Sequence, residues 1–194
     1  MTPTLYFAPG SSSMAPHIAL HEIGCPFEPR PVSFHEGGTR TPQFLALNPA
    51  GKVPVLVVDG RPISEVLAIL HYLGRTFPEA GLLPEDPPTE AEALAWMSFL
   101  ASAVHPTRQQ GPEAARAAWT LADRKLGAAD WAVGGRYSIA DIHLFRLYWR
   151  FRNSLNPGPG EFASLERHYA RVMARPAVQK TIEVESAIGY QLPA

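Results

Sequence analysis

Asn48-Pro49-Ala50-Gly51-Lys52-Val53-Pro54, running straight into Val55-Leu56-Val57-Val58 and Asp59-Gly60, is the stretch on which the reading of the fold turns. Val53–Val58 has the short apolar run of a buried strand. Asp59-Gly60 is a strong turn signal leading into Pro62-Ile63, so the segment predicts a hairpin. A proline that opens a buried strand removes a ladder donor. One solution is a cis Val53–Pro54 bond that leaves the Val53 N–H and C=O facing outward, where a peptide ligand can pair with them as an added strand. An ordinary loop with two prolines is the plainer reading of the same seven residues.

Upstream, Thr4–Ala8 reads as a strand closed by Pro9-Gly10. Ala15–Ile23 reads as a helix, with Pro16 in its first turn and Gly24 beyond its end. Phe27–Val32 is an edge strand, given the prolines Pro26 and Pro31 around it, and Thr41–Leu47 is a short helix. Downstream of the hairpin, Glu65–Arg75 carries Leu67, Ile69, Leu70 and Leu73 on a wide apolar helical face. The pattern changes at about Phe77, where Pro78, Gly81, Pro84, Pro87 and Pro88 form a linker with no sustained period. Beyond it every periodic stretch is helical: 89–104, 113–126, 139–152, 164–174 and 177–187. The expected organisation is α/β plus all-α: a βαβ–ββα unit over 1–76, a linker over 77–88 and a helical unit over 89–194.

Bulk properties exclude several functions. The 194 residues carry 17 basic and 18 acidic side chains, a net charge of -1, so no broad positive field favours nucleic acid. The single cysteine, Cys25, can form neither an internal disulfide nor a two-cysteine redox pair, and reads as a small buried hydrophobe. The first residues lack a basic region ahead of an apolar core, and no apolar run reaches the ~18–20 residues of a membrane span. The expectation is a cytoplasmic protein with no membrane partner and no metal.

Three segments have the makings of a site. Ser11-Ser12-Ser13 stands between the first strand and the first helix, where a hydroxyl and a helix N-terminus meet whatever binds. Ser64 is expected to cap the helix that follows it. The first-turn N–H groups of Glu65 and Val66 then form an anion site, and the Glu65 carboxylate an acceptor for ammonium. Together these suit an α-amino acid head group, although a capped helix with a dipole-compensating acid reads the same way. His105 ends an apolar helical run ahead of Pro106, which forces the helix to adjust, and Arg108 follows one turn on. Ser138-Ile139-Ala140-Asp141 is a structural capping box rather than a catalytic acid. Trp96, Trp119, Trp131 and Trp149 read as core or interface aromatics.

In this order, Leu5–Ser13 with Pro16–Leu20, Asn48–Pro54, Ile63-Ser64-Glu65 with Ala68-Ile69 and Tyr72-Leu73, Trp96–His105 and Gly134–Phe145 resemble the glutathione transferase family over nearly the whole chain. The likeness is to the bacterial beta class in particular, whose N-terminal motif reads like PGACSLSPHIAL. The resemblance implies a thioredoxin-like domain that binds glutathione as co-substrate, a helical bundle for the second substrate, and a homodimer. The activity it implies is conjugation of the glutathione thiol to small hydrophobic electrophiles, as in detoxification. It makes Ser12, or its neighbours Ser11 and Ser13, and also His105 catalytic. It assigns Lys52, Val53, Pro54, Glu65 and Val66 to glutathione, and His105 and Arg108 to the second substrate. Two positions depart from the pattern. Ser12 stands where the class has its cysteine, so no mixed disulfide with glutathione can form there. Val66 stands where many members have serine or glycine, which keeps the backbone N–H but loses a hydroxyl. The alternatives are a glutathione- or ligand-binding protein with little turnover, and a glutathione-dependent thiol oxidoreductase. The second is disfavoured by the missing cysteine.

Overall fold

The computed structural model describes residues 2–191. Two compact units emerge: residues up to Ala80 together with those from Pro176 onward, and Gly81–Arg175.

The first unit is built on strands β1 (Thr4–Phe7), β2 (Glu28–Pro31), β3 (Val55–Val58) and β4 (Arg61–Ser64), in the order β2-β1-β3-β4. β1 and β2 are parallel, and the other two pairings are antiparallel. β2 is the edge strand the prolines require. Glu28 N–H donates to the Pro3 carbonyl at 2.8 Å and Val32 N–H to that of Phe7 at 2.7 Å. Pro29 and Pro31 occupy the alternate positions, whose N–H would point to solvent and is not missed. Alternation along β1 and β3 gives the sheet two buried faces. Leu5, Phe7 and Leu56 are fully buried on the side covered by helices α1 (Met14–Ile23) and α3 (Val66–Thr76). Tyr6, Val55 and Val57 face the opposite way and pack with Phe44 and Leu47 of α2 (Pro42–Leu47).

The second unit contains α4 (Pro87–Phe99), α5 (Pro112–Leu126), α6 (Ile139–Leu155) and α7 (Ala163–Met173). α4 begins two residues earlier than the linker reading allows. Pro87 and Pro88 sit in its first turn, where a missing N–H costs nothing, behind an Asp86 cap that accepts from the Thr89 N–H at 3.0 Å. α6 is the core helix: every residue from Ile139 to Tyr148 is buried, as expected of a helix surrounded on all sides. Its N-terminus carries the capping box foreseen at Ser138 and Asp141. Asp141 also accepts from Ala132 N–H at 2.7 Å and meets His168 Nε2 at 2.9 Å.

The last helix, α8 (Pro176–Ile188), corrects the sequence-based division at its C-terminal end. Periodicity assigns 89–194 to one helical unit, whereas α8 packs on α1. Its amphipathic face is satisfied equally well by either partner, so a 3.6-residue period carries no information about which one it meets. One smaller difference concerns the cysteine. Cys25 is half-buried rather than buried, and burial pushes its thiol pKa up. Trp96 and Trp119 are core residues, while Trp131 and Trp149 are partly exposed. Among the described residues no helix is long and apolar enough to cross a membrane.

Asp141→Ala strands the Ser138 N–H, the Ala132 N–H and His168 in a buried setting. Removing one partner of such a network costs about 3–5 kcal/mol. Urea unfolding of the variant is expected to show a loss of that order. A loss below about 1 kcal/mol would show that the network does not hold α6.

Candidate functional site

Strand register decides which loops meet. Tyr6 faces Val55, Val55 faces Ser64, and Phe7 faces Pro31. The strand directions then bring the turn after β1, the loop after β2, the Val53-Pro54 step ahead of β3 and Glu65 after β4 to one edge of the sheet. The N-termini of α1 and α3 open on that edge, the usual ligand-binding rim of an open α/β sheet.

Hydrogen bonding distinguishes the three serines of the turn. The fully buried Ser13 hydroxyl accepts from Ala8 N–H at 3.0 Å and donates to the Ala8 carbonyl at 3.1 Å. Its one proton being so engaged, the Ser11 hydroxyl is the donor in their 2.7 Å contact, and it accepts in turn from the Ser13 N–H. Both serines therefore hold the turn closed. Ser12 is half-buried, and its hydroxyl makes no hydrogen bond among the described residues. It lies just ahead of α1, at the positive end of the helix dipole.

A carboxylate from the far end of the chain braces this turn. Glu185 of α8, fully buried, accepts from Gly10 N–H at 2.6 Å through Oε2 and contacts His17 Nδ1 at 2.9 Å through Oε1. The His21 ring stacks on His17 with centroids 5.0 Å apart. Burial, with His17 and Lys180 adding positive charge nearby, pulls the His21 pKa down to about 4. Six residues beyond Glu185, Gln191 Oε1 accepts from Ser33 Oγ at 2.8 Å and Phe34 N–H at 3.1 Å, fixing the loop after β2. Sequence reading missed both Glu185 and Gln191. The available signal was a lone acid, Glu185, four residues after Thr181 on the apolar stripe of α8.

The remaining rim positions are equally specific. The Asn48 side chain donates to the Lys52 carbonyl at 2.7 Å and accepts from Ala50 N–H, which fixes the loop ahead of β3. The Val53–Pro54 bond is cis, and the Val53 backbone makes no hydrogen bond among the described residues. Lys52 is exposed and forms no ion pair among them. The cap of α3 is a correction. Ser64 completes β4, and the capping position belongs to Glu65, at φ 71° and ψ 128°. That left-handed backbone is strained by about 1–3 kcal/mol in a residue with a side chain, a feature concentrated at binding sites. No side chain caps α3, so the Val66 N–H and the next first-turn amides stay open to an anion.

In the second unit, Pro106 acts as its chemistry dictates. It can neither donate to Ser102 nor fit its ring against that carbonyl, and the chain widens into a π-turn over Leu100–Val104 before tightening into a 3-10 turn at His105–Gln109. His105 is half-buried, its ring 6.1 Å from that of Phe151. His143 lies fully buried nearby, its pKa lowered to about 3 by burial, Arg146 and His105. Arg108 is exposed, without a partner among the described residues, on the wall of a cavity of about 290 Å³ shared with Val104, Trp119, Phe151 and Leu155. The first unit thus gathers Ser12, Lys52, Val53, Glu65 and Val66, and the second holds His105 and Arg108 on one turn. Among the described residues no cluster of three or more His, Cys, Asp or Glu is arranged to hold a metal ion.

Comparison with known proteins agrees over both halves. The model of the glutathione S-transferase N-terminal domain matches residues 1–75, and that of its C-terminal domain matches 94–176. Glutathione S-transferase GST-4.5 of Xanthomonas campestris is 30% identical over 93% of this chain and 98% of its own length. A sphingomonad glutathione S-transferase solved with glutathione is 30% identical, with a TM-score of 0.85 over 94% of this chain and 98% of its own. A beta-class glutathione S-transferase of Sphingomonas chungbukensis, also 30% identical, has a TM-score of 0.82 over the same shares. Maleylacetoacetate isomerase of Rhizobium meliloti is similar over a shorter range, 37% identical over 52% of this chain and 47% of that one. With family models covering both halves and this agreement in fold, the chain belongs to the glutathione S-transferase family.

Proposed function

We propose that this chain is a glutathione transferase that activates the glutathione thiol with Ser12 and joins the sulfur to a small hydrophobic electrophile, acting as a cytoplasmic homodimer. The observation that carries the reading is the serine turn, where two hydroxyls are engaged and the one between them is open at a helix N-terminus.

Glutathione is a γ-glutamyl tripeptide with one ammonium, two carboxylates and one thiol, and the rim offers a counterpart to each kind of group. Glu65 accepts from the ammonium, and the Val66 N–H with the open first turn of α3 holds the adjacent carboxylate. The Val53 backbone pairs with the peptide, ahead of Pro54. Lys52 supplies positive charge for the remaining carboxylate. Lowering a thiol pKa from about 8.5 to about 6.5 takes about 2.7 kcal/mol. A hydrogen bond to a charged group contributes about 1.5–3 kcal/mol and a helix N-terminus about 0.3–1. Ser12 and α1 are therefore sufficient in magnitude. The thiol proton leaves to solvent, the thiolate lone pair forms the new C–S bond, and the displaced group departs with its bonding electrons. Serine in place of cysteine at position 12 leaves no partner for a mixed disulfide, which favours transfer over thiol–disulfide exchange. His105 and Arg108 are assigned to the second substrate.

Two tests follow. Ser12→Ala is expected to lower kcat about 10–100-fold and move the acid limb of the pH–rate profile upward, with unfolding midpoint unchanged. Ser13→Ala is expected to destabilise the fold by about 1–3 kcal/mol, since it strands the buried Ala8 N–H. A silent Ser12→Ala would remove that residue from the mechanism. A parent that binds glutathione but turns over no chromogenic aryl halide would instead be a binding protein.

Glu65→Gln should weaken glutathione binding about tenfold, the low end for a charge-assisted bond because Glu65 is exposed. Val66→Ser should tighten it modestly by restoring a hydroxyl donor. Calorimetric titration measures both, and unchanged affinity in Glu65→Gln would mean that the rim does not read an amino-acid head group.

A further inference from the structure

The cavity in the second unit has an unbalanced electrostatic character. Its walls combine the apolar Val104, Trp119, Phe151 and Leu155 with two arginines, Arg108 and Arg116. No aspartate or glutamate is among its described lining residues. The two cations differ in their state. Arg116 is tied down, with Nη1 on the Glu161 carboxylate and Nη2 donating to the Leu155 carbonyl at 2.7 Å. Arg108 has no counter-charge among the described residues. The smaller polar groups of the wall are satisfied internally: the Thr107 hydroxyl donates to the Val104 carbonyl at 2.6 Å and that of Ser154 to the Phe151 carbonyl at 2.8 Å. A third guanidinium, Arg150, stands close enough that burial and then the charge of Arg108 pull its pKa below the usual range. The region accumulates positive charge and presents aromatic surface beside it.

We propose that this cavity takes an apolar carboxylic acid, its hydrocarbon or aryl body against Trp119 and Phe151 and its carboxylate on the Arg108 guanidinium. A volume of about 290 Å³ is at the small end for ligand pockets and suits a one- or two-ring acid. A guanidinium presents a planar pair of donors that match a carboxylate, and it gains little from a neutral ligand. The proposal deepens the functional reading, because it names apolar electrophiles that carry a carboxylate as the class of second substrate. For that role it rests on that reading, but the binding itself does not.

The test uses 2-naphthoate and its uncharged counterpart 2-naphthamide, titrated calorimetrically into the full-length protein and into Arg108→Leu, Arg108→Lys and Leu155→Trp variants. The parent is expected to bind the acid at least about tenfold more tightly than the amide, a single charge-assisted contact. Arg108→Leu should bring the two ligands within about twofold of each other while leaving the amide unchanged, and Arg108→Lys should restore part of the preference. Leu155→Trp, which fills the cavity, should weaken both. Because Arg108 is exposed, its replacement does not threaten the fold. Equal affinity for acid and amide, no binding of either, or a preference that survives Arg108→Leu would overturn the proposal. Glutathione is titrated in parallel: its failure to bind the parent would remove the transferase reading and leave the acid result standing, while normal binding with no acid preference removes only this proposal.

Discussion

A carboxylate with no exposure to water has to be matched group by group, and Glu185 is matched by one backbone amide and one imidazole. Its two oxygens engage Gly10 N–H and His17 Nδ1, so a side chain from the last helix closes the first turn of the fold. Leaving either group buried and unpaired costs several kcal/mol, a large share of the 5–15 kcal/mol that stabilises a typical domain. That penalty fixes the position of α8 on α1 and, with it, the backbone that carries the three serines. Gln191, further along the same segment, fixes the loop after β2 in the same way. The edge of the sheet on which these loops meet is therefore held from outside by residues that have no place in its own sequence motifs.

Within that frame, function depends on which polar groups have been used. Three consecutive serines are chemically identical in the sequence, yet the turn engages the hydroxyls of Ser11 and Ser13 and leaves that of Ser12 open. At the neighbouring rim position the chain tolerates a left-handed backbone at Glu65. The strain accompanies a β4 strand that runs through Ser64 and a helix that starts at Val66 with no side-chain cap. Had Ser64 capped α3, its hydroxyl would have competed with a ligand for the first-turn amides. The first amides of α1 are used instead, Met14 N–H donating to the Ser11 carbonyl at 3.1 Å and Ala15 N–H to that of Ser12 at 3.3 Å, so the open group there is the Ser12 hydroxyl.

The second unit shows the opposite economy. Asp141 satisfies Ser138, Ala132 and His168 at once, so the N-terminus of the central helix is closed by internal hydrogen bonds. Buried beside Arg146, His143 stays neutral and adds no charge of its own near His105. A π-turn and a 3-10 turn around Pro106 break the helical backbone between α4 and α5, and the side chains of His105 and Arg108 are on that segment.

Much of this was legible in the sequence because it is local. The hairpin at Asp59-Gly60, the edge strand read from Pro26 and Pro31, the capping box at Ser138 and the disruption at Pro106 each follow from residues within a few positions of one another, where sterics and missing donors act directly. The order of motifs located the rim residues Lys52, Val53, Glu65 and Val66 for the same reason. The partner of α8, the cap at Glu65 rather than Ser64, and the division of labour among Ser11, Ser12 and Ser13 were decided by tertiary structure alone. An amphipathic period states that a face is buried without saying against what, and a hydroxyl becomes a donor or an acceptor only once the groups around it are fixed. Glu185 and Gly10 are 175 positions apart, and only the closed fold brings that carboxylate to that amide.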